Sequence, residues 1–204
     1  SYAMKGVIWY QGESNASRAK AYETLFPLLI MDWRKRWDAK MPFYFAQLAN
    51  FKSPTTRPGQ ESSWAELQTA QRLTLRLPKT GMAVINDVGA ANDIHPRNKK
   101  TVGERLSRWA LNRDYDQKDL VVSGPLYREF KVEEGQIRIT FDNARGLTTS
   151  DGKKPARFEV AGEDRIWRWA EVALDGESAI VSSEEVPNPV AVRYAWASNP
   201  RGAN

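Results

Sequence analysis

His95 is the only histidine in the chain, and it stands in the turn-like run Asn92-Asp93-Ile94-His95-Pro96; there is no cysteine. If proton transfer to or from a hydroxyl takes place here near neutral pH, the imidazole of His95 is the group suited to it. Without a thiol, the nucleophile has to be a serine or threonine hydroxyl. Asp93 supplies a carboxylate two residues away, able to hold the ring tautomer and stabilise an imidazolium. A second polar run, Gln11-Gly12-Glu13-Ser14-Asn15, follows an apolar stretch. Its Gln11 amide can donate N–H to a developing oxyanion, and Glu13 can orient loop groups or bind substrate hydroxyls. Each residue also has a purely structural role open to it. Asp93 can cap a turn, Pro96 fits the first position of a following helix, and Ser14 or Asn15 can cap the first helix of the chain.

The elements that must carry these loops are legible as alternating strands and helices. Gly6–Tyr10 is a short β-prone run, and residues 43–48 and 81–85 are two more. From Ala16 to Trp37 the apolar residues Tyr22, Leu25, Phe26, Leu29, Trp33 and Trp37 recur at helical spacing, with Pro27 expected to kink the helix or start a second one. Trp64, Leu67, Gln68, Gln71 and Leu75 share one helical face, and Val102, Leu106, Trp109 and Ala110 another. Trp33, Trp37, Trp64 and Trp109 fall on apolar helical faces, which predicts core packing rather than sugar stacking. Strands joined by crossover helices predict a parallel sheet in an α/β fold. In such a sheet the loops after the strands open on one edge, where ligands bind, so Gln11 would face His95 across a crevice.

The pattern changes near Asp114. From Leu120 onward there is no helical periodicity, and short alternating segments recur instead: Val132–Phe141, Ala156–Val160, Trp169–Leu174, Ala179–Ser182 and Val190–Trp196. Turn signals such as Asp151-Gly152 and Asp175-Gly176 separate them. The expected division is an α/β part over residues 1–116 and an appended β-rich module over 117–204. The net charge of +5 arises from scattered basic residues, which argues against a nucleic-acid-binding stripe. No apolar run approaches a membrane span. One histidine and no cysteine argue against a zinc site, and no metal or cofactor is expected.

The run Gly6-Val7-Ile8-Trp9-Tyr10-Gln11-Gly12-Glu13-Ser14-Asn15 resembles the Trp-Tyr-Gln-Gly-Glu motif of sialate O-acetylesterases and related carbohydrate acetylesterases. Asn92-Asp93-Ile94-His95-Pro96, followed by Asn98-Lys99, Val102-Gly103 and Arg105-Leu106, is similar to that family's histidine block. Glu66-Leu67-Gln68 with Gln71, and Val192-Arg193-Tyr194-Ala195-Trp196, also look like family sequence. The resemblance implies a partial flavodoxin-like parallel sheet of the SGNH-hydrolase superfamily, with helices, followed by the β-rich module. It implies a serine nucleophile, His95 as base, Gln11 as oxyanion-hole amide beside Gly12 and Glu13, and Asp93 as the acid. In the wider superfamily the acid lies three residues before the histidine, where this chain has Asn92. Either Asp93 orients His95 through an altered turn, or a backbone carbonyl shares the task.

The family's Gly-x-Ser nucleophile block lies upstream of the Gln-Gly-Glu block, so the resemblance implies a nucleophile before Ser1. Gly12-Glu13-Ser14-Asn15-Ala16 imitates a Gly-x-Ser-x-Gly elbow, but Ala16 replaces its last glycine and the elbow belongs to another hydrolase fold. The implied reaction is removal of acetyl groups from sialic acid or a related glycan through an acyl-enzyme. The acetylated sugar is the implied partner, with neither nucleic acid nor membrane. This stretch alone is expected to be inactive and to self-associate through an exposed sheet edge. Relatives are commonly periplasmic or secreted, and a signal segment would lie upstream. The rival expectation is a non-catalytic carbohydrate-binding or structural module, a decayed esterase.

Overall fold

The computed structural model describes residues 3–204. They divide into two compact units: the residues up to Ser53 with Ser62–Ser123, and Pro54–Glu61 with Gly124–Asn204.

The first unit is built on three parallel strands in the order β1 (Val7–Trp9), β2 (Phe43–Ala46), β3 (Thr80–Ala83). Val7 pairs with Phe43 and Phe43 with Thr80, so all three strands run the same way. β2 is central and buried at every position. Its alternation sends Phe43 and Phe45 to one face and Tyr44 and Ala46 to the other. On the first face lie helices α1 (Ala19–Arg36) and α2 (Ser63–Leu73). Tyr22, Phe26 and Ile30 of α1, four residues apart, form its buried stripe, and Phe26 meets Phe45 edge to face at 5.1 Å. On the second face lies α3 (Lys99–Asp114), whose Val102, Leu106 and Trp109 pack on Tyr44 and Ala83.

Single side chains fix how these helices meet the sheet. The Trp109 ring lies so close over Gly81 that a Cβ there would overlap it, and the indole N–H donates to Met82 O at 3.1 Å. The Trp64 indole donates to Ala49 O at 2.8 Å, and Ser62 caps α2 by accepting from Ala65 N. Several expectations are corrected. Pro27 does not start a second helix; it sits inside one continuous helix. Neither Ser14 nor Asn15 caps a helix, because Glu13–Arg18 is a 3₁₀ segment that precedes α1 without a side-chain cap. Pro96 is not at the start of α3; Asn98 caps it by accepting from Thr101 N at 3.1 Å. Trp64 and Trp109 are core residues, whereas Trp37 is exposed at the end of α1.

The second unit is all-β. One antiparallel sheet has the order β4 (Leu126–Glu133), β5 (Gln136–Asp142), β9 (Ser178–Ser182), β8 (Glu171–Asp175). The other has the order β10 (Ala191–Tyr194), β6 (Phe158–Ala161), β7 (Arg168–Trp169). The segment expected as one strand over 132–141 is a hairpin. Glu134 and Gly135, both at positive φ, make its two-residue turn between the paired Glu133 and Gln136. Ile137, Ile139, Val160, Val172 and Val181 form the core.

Register aligns Arg193, Glu159 and Trp169 across β10, β6 and β7. Glu159, with 3% of its side chain exposed, accepts from Arg193 Nη2 at 2.6 Å and from Gly59 N at 2.8 Å. Arg193 is stacked on Trp167, with its guanidinium 4.3 Å from the ring centre. Arg157 donates to Thr55 O at 3.0 Å. Thus 54–61, part of a Ser-, Thr-, Pro- and Gly-rich loop in the sequence, is held by buried charge in this unit.

Candidate active site

Because the strands are parallel, the chain leaves the same sheet edge after Trp9, Ala46 and Ala83. The loop after β1 carries Gln11, Gly12 and Glu13, and the loop after β3 leads to Asp93 and His95. Tyr10 packs against both hydrophobic clusters of the unit, and Lys99, just past the histidine run, lies over its ring at 5.3 Å.

Gln11 is fixed at several points. Its side-chain amide donates to Asn15 Oδ1 at 2.7 Å. The Tyr22 hydroxyl donates to the Gln11 carbonyl at 3.2 Å and approaches Oε1 at 3.4 Å. Burial pushes the Tyr22 phenol up to about 12, so it stays protonated and able to donate. Gln71 Nε2 also donates to Gln11 O, at 3.2 Å, while Gln71 Oε1 accepts from Leu48 N at 2.9 Å. Gln68 adds a bond to Leu48 O at 2.8 Å. Two glutamines of α2 therefore tie the end of β2 to the helix, and one of them continues to the loop after β1. Gly12 is enclosed by Gln71, Leu67 and Leu48; an added Cβ would lie 3.1 Å from both Gln71 Nε2 and Leu67 Cδ2. Glu13 opens the 3₁₀ segment. With burial as the larger cause, its charge helps push the Tyr10 phenol up to about 12.

The histidine loop is held differently. Arg105 of α3 forms a two-pronged ion pair with Asp87, 2.7 Å from Nη2 to Oδ2, and also donates to Val84 O at 2.7 Å. Hydrogen bonding to Arg105 holds the Asp87 carboxyl below its usual range. Gly89 N donates to Asn50 Oδ1 at 2.7 Å, and Lys52 N to Ala91 O at 3.0 Å. Asp93 and Ala90 form an isolated bridge. Asp93 Oδ1 accepts from the backbone N–H of His95 at 2.9 Å, the side chain-to-backbone turn expected of this residue. The same oxygen lies 3.9 Å from His95 Nδ1, outside hydrogen-bonding range. The His95 side chain is 86% exposed and that of Asp93 41%.

The structure thus brings Asp93 beside His95, and Gln11 and Gly12 into one network with Gln71. No recorded hydrogen bond joins Gln11 to His95, and no hydroxyl among the described residues is bonded to His95. Ser14 is exposed. In the sequence Tyr22 stood out only as part of an apolar helical face and Arg105 only within the family resemblance; their bonds to Gln11 and Asp87, and the role of Asn50, were not singled out. Gln68 and Gln71 on an otherwise apolar helical face were a visible signal for a buried polar network. No group of three metal-ligating side chains occurs among the described residues, and no helix there is long and apolar enough to cross a membrane.

A parallel sheet offering these two loops on one edge, followed in sequence by antiparallel sheets, makes this a mixed α/β protein. Residues 1–112 match the family model for carbohydrate esterases described as sialic acid-specific acetylesterases, and the chain belongs to that family. It is 31% identical to mouse sialate O-acetylesterase over 97% of this chain and 40% of that protein. Human sialate O-acetylesterase is 28% identical over 97% of this chain and 42% of its own length. The crystal structure of a carbohydrate acetylesterase from Xanthomonas citri is similar with a TM-score of 0.92 and 41% identity, over 99% of this chain and 47% of that one. The chain therefore spans less than half the length of these relatives.

Proposed function

We propose that this chain carries the base and oxyanion side of an esterase site that removes O-acetyl groups from sialic acid or a related glycan. His95 takes the proton of a serine hydroxyl as that oxygen attacks the acetyl carbonyl, then returns it to the departing sugar oxygen. Gln11, backed by Gly12 and Glu13, donates its free amide N–H to the oxyanion. Asp93, the acid of the site, holds the turn that presents His95 by accepting from its backbone N–H. The serine lies in a segment preceding these residues, so the 204-residue chain alone is inactive.

The observation that carries this reading is Gln11. Its amide is fixed by Asn15 and Tyr22 on the same sheet edge from which β3 leads to the one histidine. The absence of any hydroxyl bonded to His95 among the described residues supports a nucleophile from elsewhere.

The residues up to Ser53 with Ser62–Ser123 form the catalytic part, and the remainder is the β-rich module. Among the described residues β1 is paired only on its β2 side, Ile8 is 70% exposed, and Leu25, Leu28 and Met31 of α1 are exposed as well. Alone in solution, this edge associates with a second copy.

An aryl acetate assay tests the chemistry. The chain alone should give no turnover above buffer, and a longer polypeptide including the preceding segment should turn over and lose activity in His95→Ala. Turnover by the chain alone that disappears in both His95→Ala and Ser14→Ala would place the nucleophile at Ser14 instead. Sedimentation that shows only monomer would remove the edge association.

A further inference from the structure

We infer that Asn50 is a positioning residue for His95, setting the place of the histidine through a backbone clamp on the loop after β3. The inference rests on the proposed role of His95 for its catalytic meaning, but its geometry stands by itself. The His95 ring has no hydrogen bond from Asp93, whose oxygen is 3.9 Å from Nδ1, and the side chain is largely exposed. Among the described residues no hydrogen bond holds the ring, so the place of the imidazole is decided by the backbone that carries it.

That backbone is gripped from the loop after β2. Asn50 Oδ1 accepts from Gly89 N at 2.7 Å, and two residues later Lys52 N donates to Ala91 O at 3.0 Å. The approach at Gly89 is so close that a Cβ would overlap the Asn50 carbonyl oxygen and its side-chain oxygen, so only glycine fits. From Ala91 the constraint passes in short steps. Ala90 bridges Asp93, whose backbone N donates to Ala90 O at 3.4 Å, and Asp93 Oδ1 accepts from His95 N at 2.9 Å. On the far side Ile94 packs against the α1–α2 cluster, which pins the turn immediately before the histidine. The anchor is firm because Asn50 follows the fully buried strand β2 and the buried Leu48 and Ala49. Asn suits the position because a short planar side chain places a neutral acceptor against a backbone N–H without adding charge at the sheet edge.

The single histidine makes the test direct, since one imidazole signal and one His95 amide report on the site in the 204-residue chain. Backbone order parameters and the His95 ring resonance should be compared among the unmodified chain, Asn50→Ala and Asn50→Asp, with the buried Trp64 indole signal as the check on folding. Asn50→Ala should lower the order parameter at Gly89 and His95 from about 0.85 to below about 0.6 and shift the ring resonance. Asn50→Asp, which keeps an acceptor oxygen, should restore both. A His95 that stays rigid and unshifted in Asn50→Ala, or one as loose in Asn50→Asp as in Asn50→Ala, overturns the inference.

A further measurement needs no variant. The Gly89 and Lys52 amides, the two donors of the clamp, should exchange with solvent through one opening event. Protection factors differing by more than about tenfold overturn it. None of these readouts depends on turnover, so a failed aryl acetate assay sinks the esterase reading and leaves the clamp standing, and the reverse also holds.

Discussion

The loop after β1 and the loop after β3 leave the same edge of one sheet, yet they are fixed by different means. Around Gln11 the constraints are buried side chains: Gly12 is enclosed, and Gln71, 1% exposed, donates to the Gln11 carbonyl. Around His95 the constraints are contacts to the backbone at Gly89 and Ala91 and a two-pronged ion pair at Asp87, while the imidazole is in solvent. A group that must meet a developing oxyanion gains from being preorganised before the reaction. A base that exchanges protons with an incoming hydroxyl has to remain approachable. With the proposed roles, the Gln11 side is a stability element as well as an oxyanion donor, and the His95 side is a loop that presents the base.

Substitutions can break that contrast or sharpen it. The largest effect should come from Gln71→Leu, which leaves Leu48 N without its buried acceptor and removes one of the two donors to the Gln11 carbonyl, Tyr22 remaining. Urea unfolding should show a loss of about 3 kcal/mol. A loss below about 1 kcal/mol would mean the glutamine network is not what holds the first loop. Gly12→Ala should cost about 2 kcal/mol by the same measurement, because the new methyl must displace Gln71 and Leu67 from a packed position.

Asp87→Asn probes the ion pair of the second loop through pH. Arg105 depresses the Asp87 carboxyl, so the pair's contribution is fully present above about pH 4 and is lost as pH falls through the depressed folded value. The Tm advantage of the unmodified chain over Asp87→Asn should therefore be constant near neutrality and shrink in more acidic buffer. An advantage that grows on acidification would contradict it. The smallest effect should come from Asp93→Asn, where the amide oxygen still accepts from the His95 backbone. Its stability should change by no more than about 0.5 kcal/mol, seen as an almost unmoved urea midpoint. A large loss there would show that the second loop depends on the Asp93 charge after all.

Much of the framework was legible in the sequence. Three apolar runs became three parallel strands, and the helical face of Trp64, Leu67, Gln68 and Gln71 became buried. The change to β structure after Asp114 also appeared, because alternation with period two and Asp-Gly turns are local signals. Capping was less legible. Pro96 and Asn98 both satisfy helix-start preferences, and Asn98 caps the helix by accepting from Thr101 N. Pro27 is tolerated inside a helix whose buried stripe of Tyr22, Phe26 and Ile30 is secured by packing, which outweighs the local penalty. Tyr22 and Asn50 carried no motif, since their partners lie 11 and 39 residues away.

The sequence by itself determined the inventory of chemistry: one imidazole, no thiol, a Gln-Gly-Glu run after a strand, and a family resemblance resting on both loops. These are matters of residue type and local spacing, which survive without coordinates. Tertiary structure decided how each group is held. Gln11 is fixed by a glutamine 60 residues away, and Asp93 bonds to the His95 backbone while standing 3.9 Å from its ring. Hydrogen-bond geometry is set within tenths of an ångström by packing between distant segments, and no local pattern of residues encodes that.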